Sequence, residues 1–246
     1  MKKMMVLALG AAMAVVCGCG EKDNSLKMIT EATFPPYEFL RGSEIVGIDV
    51  EICRAVAAKL GRPFSVESVN FDSVIPTVIS GKADLAAAGI TITEDRKKNV
   101  DFSVPYVKTG VVFVYKKGTS YAKGADAKGK KVGVQSGTTS EAFVTETLKQ
   151  QPERFDSPAA AVAALKAGRV DVVIADIDPA KNCVKGEADL ALSGFITSEE
   201  YAVAIRKGQP ALLKAINETI AEVKADGRLA KWVEAYTAEA DRLKEK

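Results

Sequence analysis

Three short stretches of this 246-residue chain carry side chains able to hold a small charged molecule. The first is Gly89-Ile90-Thr91-Ile92-Thr93-Glu94-Asp95-Arg96. Thr91 offers a hydroxyl and a backbone N–H, and Gly89 leaves its carbonyl approachable. Arg96 lies one turn beyond a candidate helix cap at Thr93, where a guanidinium can grip a carboxylate by two parallel hydrogen bonds. A surface ion pair with Glu94 or Asp101 is the plainer alternative. The second stretch, Gln135-Ser136-Gly137-Thr138-Thr139-Ser140, is a glycine turn opening a helix, which aims free N–H groups at an anion. Simple capping by Ser136 or Thr138 competes with that, and the pattern is not that of a phosphate loop. The third is Asp176, closing the apolar run Val172-Val173-Ile174-Ala175. A carboxylate at a sheet rim needs a cationic partner, unless Asp176 or Asp178 merely caps the next helix. An anion grip (Arg96 with N–H groups) and a cation grip (Asp176 with Thr91 and the Gly89 carbonyl) together suit a zwitterion such as a free α-amino acid.

These residues must be held by surrounding elements. Leu26 to Thr30 reads as a first strand. Ile48, Ile52, Val56 and Leu60 recur at steps of four before Gly61, one face of an amphipathic helix. Phe64 to Val69 reads as a strand, and Asp72 is a candidate cap for a helix ending at Gly81. Ala83 to Ala88, Val111 to Tyr115, Lys131 to Val134 and Val170 to Ala175 are buried-strand candidates. Ser157-Pro158 caps a helix ending at Gly168. Two helices, about 210–225 and 228–244, close the chain, broken at Gly227. Strands alternating with helices argue an α/β fold with mainly parallel sheets, whose ligands sit beyond the carboxyl ends of the strands. The run Ile79 to Gly89 is echoed by Leu165 to Asp176: helix end, Gly, two residues, Asp, buried strand. Two similar units imply two lobes of similar construction.

Residues 1–18 read as a signal peptide: Lys2 and Lys3, then an apolar stretch from Met4 to Val16. Val15-Val16-Cys17-Gly18-Cys19 resembles a bacterial lipobox. Cys19, preceded by Gly18 and followed by a polar tether over 19–25, suits lipidation better than Cys17. Removing residues 1–18 leaves 32 basic against 32 acidic residues, which gives no electrostatic bias toward nucleic acid. The chain has no His, the commonest general base, and no Cys/His metal spacing; no cofactor is expected. Cys53 and Cys183 are expected as separate buried thiols.

From about residue 25 to 244 the chain resembles family 3 of the bacterial periplasmic solute-binding proteins. Five ordered runs carry the resemblance: Thr33-Phe34-Pro35-Pro36-Tyr37-Glu38-Phe39, Val46 to Glu51, Ala88 to Arg96, Asp101 to Tyr106 and Val134 to Thr139. The resemblance implies a two-lobed type II periplasmic-binding fold serving an ABC importer. It implies that Arg96 binds an α-carboxylate with the N–H groups of Thr91 and Thr139 in the Thr138–Thr139 turn, and that Asp176, Thr91 and Gly89 bind the α-ammonium. Phe34 and Phe71 would sandwich the ligand side chain. Glu31, with Gln135 opposite, would read that side chain and favour a basic or amide amino acid.

Lobe 1 is expected over 26–108 and 204–246 and lobe 2 over 112–200, with hinges near 108–111 and 201–204. The expected protein is a lipid-anchored, exported monomer that closes on its ligand and presents it to a membrane permease. An exported dehydratase on the same fold and a sensory ligand-binding module are the alternatives; turnover of a prephenate-like substrate would mark the first, and a fused membrane span the second.

Overall fold

The computed structural model describes residues 24–244. The signal segment and both candidate lipidation cysteines, Cys17 and Cys19, lie outside the described residues. In chain order the elements begin with β1 (Leu26–Thr30), β2 (Thr33–Phe34), β3 (Glu38–Arg41), β4 (Glu44–Val46), α1 (Ile48–Lys59), β5 (Phe64–Ser68), α2 (Phe71–Ile79), β6 (Leu85–Ala86), α3 (Glu94–Lys97) and β7 (Val100–Phe102). Then come β8 (Val107–Lys116), β9 (Val132–Gln135), α4 (Thr139–Ala142), β10 (Glu153–Phe155), α5 (Pro158–Lys166), β11 (Val172–Asp176), α6 (Ile177–Val184), β12 (Leu190–Leu192) and β13 (Thr197–Tyr201). The chain returns through β14 (Ala204–Arg206), α7 (Pro210–Ala225) and α8 (Arg228–Lys244).

Two main sheets result, one per lobe. The first has the order β5-β1-β6-β14-β7, and the second β10-β9-β11-β8-β12 with β13 also paired to β8; β2, β3 and β4 form a small antiparallel sheet. Strands β5, β1 and β6 are parallel, as are β10, β9 and β11. The expectation of mainly parallel sheets needs refinement, because β14 and β8 run against their neighbours. The reason is the path of the chain. A strand crossing from the other lobe enters at the rim where the parallel strands end, so it must run the opposite way.

The internal echo is structural. The glycines that stop α2 and α5, Gly81 and Gly168, have φ of 75° and 73°, a conformation that suits glycine. Asp84 and Asp171 then each accept a backbone N–H, from Lys27 in β1 at 2.9 Å and from Lys131 just before β9 at 2.8 Å, and each returns its own N–H to the same residue's carbonyl. The same sequence signal therefore installs the central strand of each sheet.

Helix α1 buries Ile48, Ile52 and Val56 at 1% exposure or less, worth roughly 1.5–3 kcal/mol per side chain. Leu60, the fourth step of that pattern, falls at the helix end and is exposed. Asp72 is not the cap of α2; Asn70 occupies that position without a side-chain cap bond. The buried run from Ala83 to Ala88 forms regular strand only at β6. Ser157 does cap α5, accepting from the Ala160 N–H. Cys53 and Cys183 are buried and packed in different hydrophobic clusters.

Candidate functional site

The two sheets turn their strand ends toward each other, and residues from both lobes enclose a cavity of about 10 Å³. Phe34, Phe71, Gly89, Thr91 and Arg96 line it from the first lobe; Gln135, Thr138, Thr139 and Asp176 line it from the second. Every residue expected at the site is therefore on its wall except Glu31. The cavity is far smaller than the ~300–1,000 Å³ pockets that take drug-sized ligands, so the two lobes meet almost without a gap.

Arg96 is placed by the short helix α3, which Thr93 caps by accepting the Arg96 N–H at 3.1 Å. Its guanidinium does not make the surface ion pair that Glu94 or Asp101 would offer: Glu94 pairs with Lys97, and Asp101 accepts from the Gly208 N–H. Instead it donates to the Thr91 carbonyl at 2.9 Å and, across the cleft, to the Gly137 carbonyl at 3.0 Å. Its charge also lies 5.5 Å over the Phe71 ring, within cation–π range. Burial lowers the guanidinium pKa, opposed by the charges of Glu199 and Asp176.

Across the cleft, Thr138 caps α4, accepting from the Glu141 N–H and donating to the Gln135 carbonyl at 2.7 Å. Thr139 is the first residue of that helix, where N–H groups carry partial positive charge. Gly137 packs so tightly that an added Cβ would lie 2.9 Å from Asp72 Cα of the other lobe.

Asp176 ends β11 and occupies the cap position of α6, yet its side chain makes no cap bond. Its carboxylate accepts instead from the Tyr201 hydroxyl at 2.5 Å. Burial pushes its pKa up to about 7, helped by the charge of Glu199 and opposed by Tyr201 and Arg96. Asp178 is engaged elsewhere, accepting from the Tyr37 hydroxyl at 2.7 Å and so joining the lobes.

Gly89 has a φ of 54°, and a Cβ there would meet Phe34 Cε1 at 2.7 Å. Its N–H donates to Asp49, which also accepts from the Tyr106 hydroxyl. Asp49 is fully buried and its pKa is pushed up to about 6 by desolvation. Beside it the fully buried Glu38 is held well above the usual carboxylate range by burial and by the Asp49 charge.

Phe34 packs with Tyr37 and Tyr201, ring centroids 5.9 and 6.3 Å apart. Glu31 sits behind the wall: Thr33 donates to it at 2.6 Å, and Gln135 approaches it at 3.5 Å while donating to the Asp156 carbonyl at 3.0 Å. Burial raises the Glu31 pKa.

Sequence reasoning passed over Glu199, Tyr201 and Tyr37. Glu199 accepts from the Thr91 hydroxyl at 2.5 Å. The available signal was alternation in Thr197-Ser198-Glu199-Glu200-Tyr201, which puts an acid and a tyrosine on one strand face. Among the described residues no cluster of His, Cys, Asp and Glu could hold a metal ion, and no helix is long and apolar enough to cross a membrane.

Comparison with known proteins agrees with this architecture. ABC transporter arginine-binding protein 1 of Escherichia coli (strain K12) is 33% identical, the match covering 94% of this chain and 97% of the relative. The L-cystine-binding protein TcyJ of the same organism is 34% identical over 92% of this chain and 90% of its own length. Both are named for binding a solute rather than for a reaction. An ancestral arginine-binding protein solved with arginine is 41% identical and superposes with a TM-score of 0.80 over 87% of this chain and 98% of that one. The profile of the bacterial extracellular solute-binding proteins, family 3, matches residues 26–239, and the chain belongs to that family.

Proposed function

We propose that this protein is the extracytoplasmic binding component of an amino-acid ABC importer, and that it captures a free amino acid with a basic or amide side chain. The observation that carries the reading is the placement of Arg96 and Asp176, opposite charges from two lobes, on the walls of one small cavity. Arg96 would take the α-carboxylate, exchanging its bond to the Gly137 carbonyl for a charge-assisted pair. The N–H groups of Thr91 and Thr139 would complete that grip. Asp176, the Thr91 hydroxyl and the Gly89 carbonyl would take the α-ammonium, and Phe34 and Phe71 would flank the side chain. Gln135 reaches the side-chain end first, with the buried Glu31 behind it, which suits a guanidinium, an ammonium or an amide. Two relatives named for arginine make L-arginine the first probe.

Closure about hinges near 108–111 and 201–204 would couple the two grips, since only a ligand that bridges both lobes favours the closed state by its differential contacts. Lobe 1 would comprise 26–108 and 204–246, and lobe 2 residues 112–200. The protein would act as a monomer, tethered by lipidated Cys19 and delivering its cargo to a membrane permease. Purified protein screened by thermal shift against the twenty amino acids, ornithine and citrulline tests the central claim. A ligand at 100 times its Kd stabilises by about 2.7 kcal/mol, and the largest shift is expected from arginine, lysine, histidine or glutamine. No shift with any of them would overturn the reading.

A further inference from the structure

Asp176 stands between two competing roles. It occupies the cap position of α6 with φ −63° and ψ 146°, the extended backbone usual at a helix cap, and aspartate is among the side chains most favoured there. A cap bond runs to the N–H of the second or third helical residue. Those residues are Asp178 and Pro179. Proline has no N–H, so of the two only Asp178 can offer one to the carboxylate. That bond is not made, and Asp176 lies on the cavity wall instead.

The competing donor is Tyr201, whose hydroxyl bonds to Asp176 Oδ1 at 2.5 Å. Tyr201 is fully buried, and a buried phenol finds a hydrogen-bond partner. Its ring is wedged edge-on against Tyr37 and Phe34, with centroids 5.2 and 6.3 Å away. Its backbone is pinned as well: the carbonyl accepts the Tyr106 N–H at 3.0 Å, and the residue forms a β-bridge with Thr91. The hydroxyl is therefore held at a fixed place. Asp176 and Tyr201 also belong to one sheet, because β11 and β13 both pair with β8, setting Asp176 opposite Val111 and Tyr201 opposite Val107. Their bond joins strands of that sheet and needs no contact across the cleft.

We propose that Tyr201 is a positioning residue of the site: its hydroxyl holds the Asp176 carboxylate on the cavity wall, where a ligand's α-ammonium can meet it, and keeps it from capping α6. Pro179 assists by withholding the donor of the third helical position. Tyr201 is not on the cavity wall itself; it acts through Asp176. Without the hydroxyl, the carboxylate is free to turn toward the Asp178 N–H, and the ammonium loses its acid. An N–H restored at position 179 would strengthen that pull. Both devices act on the same side-chain rotamer, so their effects are coupled and not additive.

This inference rests on Asp176 taking the α-ammonium. The test uses Tyr201→Phe, Pro179→Ala and the double variant of the full mature protein, titrated calorimetrically with L-arginine. Tyr201→Phe should weaken binding about tenfold or more, the effect of a hydrogen bond to a charged group. Pro179→Ala should weaken it little while Tyr201 is present and markedly once the hydroxyl is gone. 5-Guanidinopentanoic acid, which lacks the α-amino group of L-arginine, should lose less than L-arginine in Tyr201→Phe. Unchanged affinity in Tyr201→Phe, the same effect of Pro179→Ala in both backgrounds, or an equal loss for the analogue would overturn the inference. Crystal structures without ligand test the geometry directly. The wild type should keep the Tyr201–Asp176 bond in the open form, and Tyr201→Phe should show the carboxylate on the Asp178 N–H. A cap bond in the wild type, or an unmoved carboxylate in Tyr201→Phe, would overturn it too. If no variant folds, the ligand-free wild-type structure decides alone. Any of these failures with L-arginine still bound by the wild type leaves the amino-acid reading intact. Absence of binding by arginine, lysine, histidine and glutamine alike would overturn both.

Discussion

At one end of the cavity a cation, Arg96, is held by neutral dipoles; at the other, Asp176 on the wall and Glu199 behind Thr91 are acids held by hydroxyls. The guanidinium has two backbone carbonyls and an aromatic face. It stays charged throughout, because an arginine does not give up its proton in a protein. The acids have Tyr201 and Thr91, and burial pushes the pKa of the Asp176 carboxyl up to about 7. The difference teaches that the two ends of the cavity hold their charges in different ways. The end proposed to take a carboxylate keeps a fixed charge, whereas the end proposed to take an ammonium holds an acid whose pKa burial raises.

The comparison can be broken at either end. Arg96→Ala should have the largest effect, because it leaves a bound carboxylate buried without its partner. A loss of about 3–5 kcal/mol in L-arginine affinity is expected, measured by calorimetry, with similar losses across pH 6 to 8.5. Retained affinity would remove Arg96 from the carboxylate role. Asp176→Asn should cost less, about 1.5–3 kcal/mol, the worth of a hydrogen bond to a charged group. That loss should disappear with 5-guanidinopentanoic acid; an equal loss for both ligands would mean that Asp176 acts on the fold and not on the ammonium. Tyr37→Phe removes the hydroxyl that joins the lobes through Asp178. It should weaken binding by about 1 kcal/mol without changing the preference among amino acids. A changed preference would place Tyr37 in ligand reading and not in closure.

Much of this arrangement was legible in the sequence because it is local. Thr93 capping α3, Ser157 capping α5 and the glycines at 81 and 168 act over a few residues, so their spacing fixes their role. The repeat of Gly, two residues and Asp foretold two sheets built alike, with equivalent bonds at Asp84 and Asp171. Whether Asp176 caps the next helix was not a local matter. Its carboxylate makes no cap bond and meets Tyr201, 25 residues away and on another strand. Glu31 is expected from the family resemblance to read the ligand side chain, yet Gln135 of the other lobe is on the cavity wall and Glu31 is not. Closely packed glycines carried a similar ambiguity: Gly137 reads as a turn residue, and only the facing lobe shows that a Cβ would collide with Asp72.

What the sequence by itself determined is the principal strands and helices, the family and the identity of the charged residues at the strand ends. Each follows from periodicity, caps and ordered motifs that short stretches carry. What only the tertiary structure decided is how those charges are satisfied. Which carboxylate meets which hydroxyl, and which carbonyl meets Arg96, depends on strands and lobes brought together from distant parts of the chain. A side chain's pKa and free bonding capacity are set by those neighbours, not by its place in the sequence.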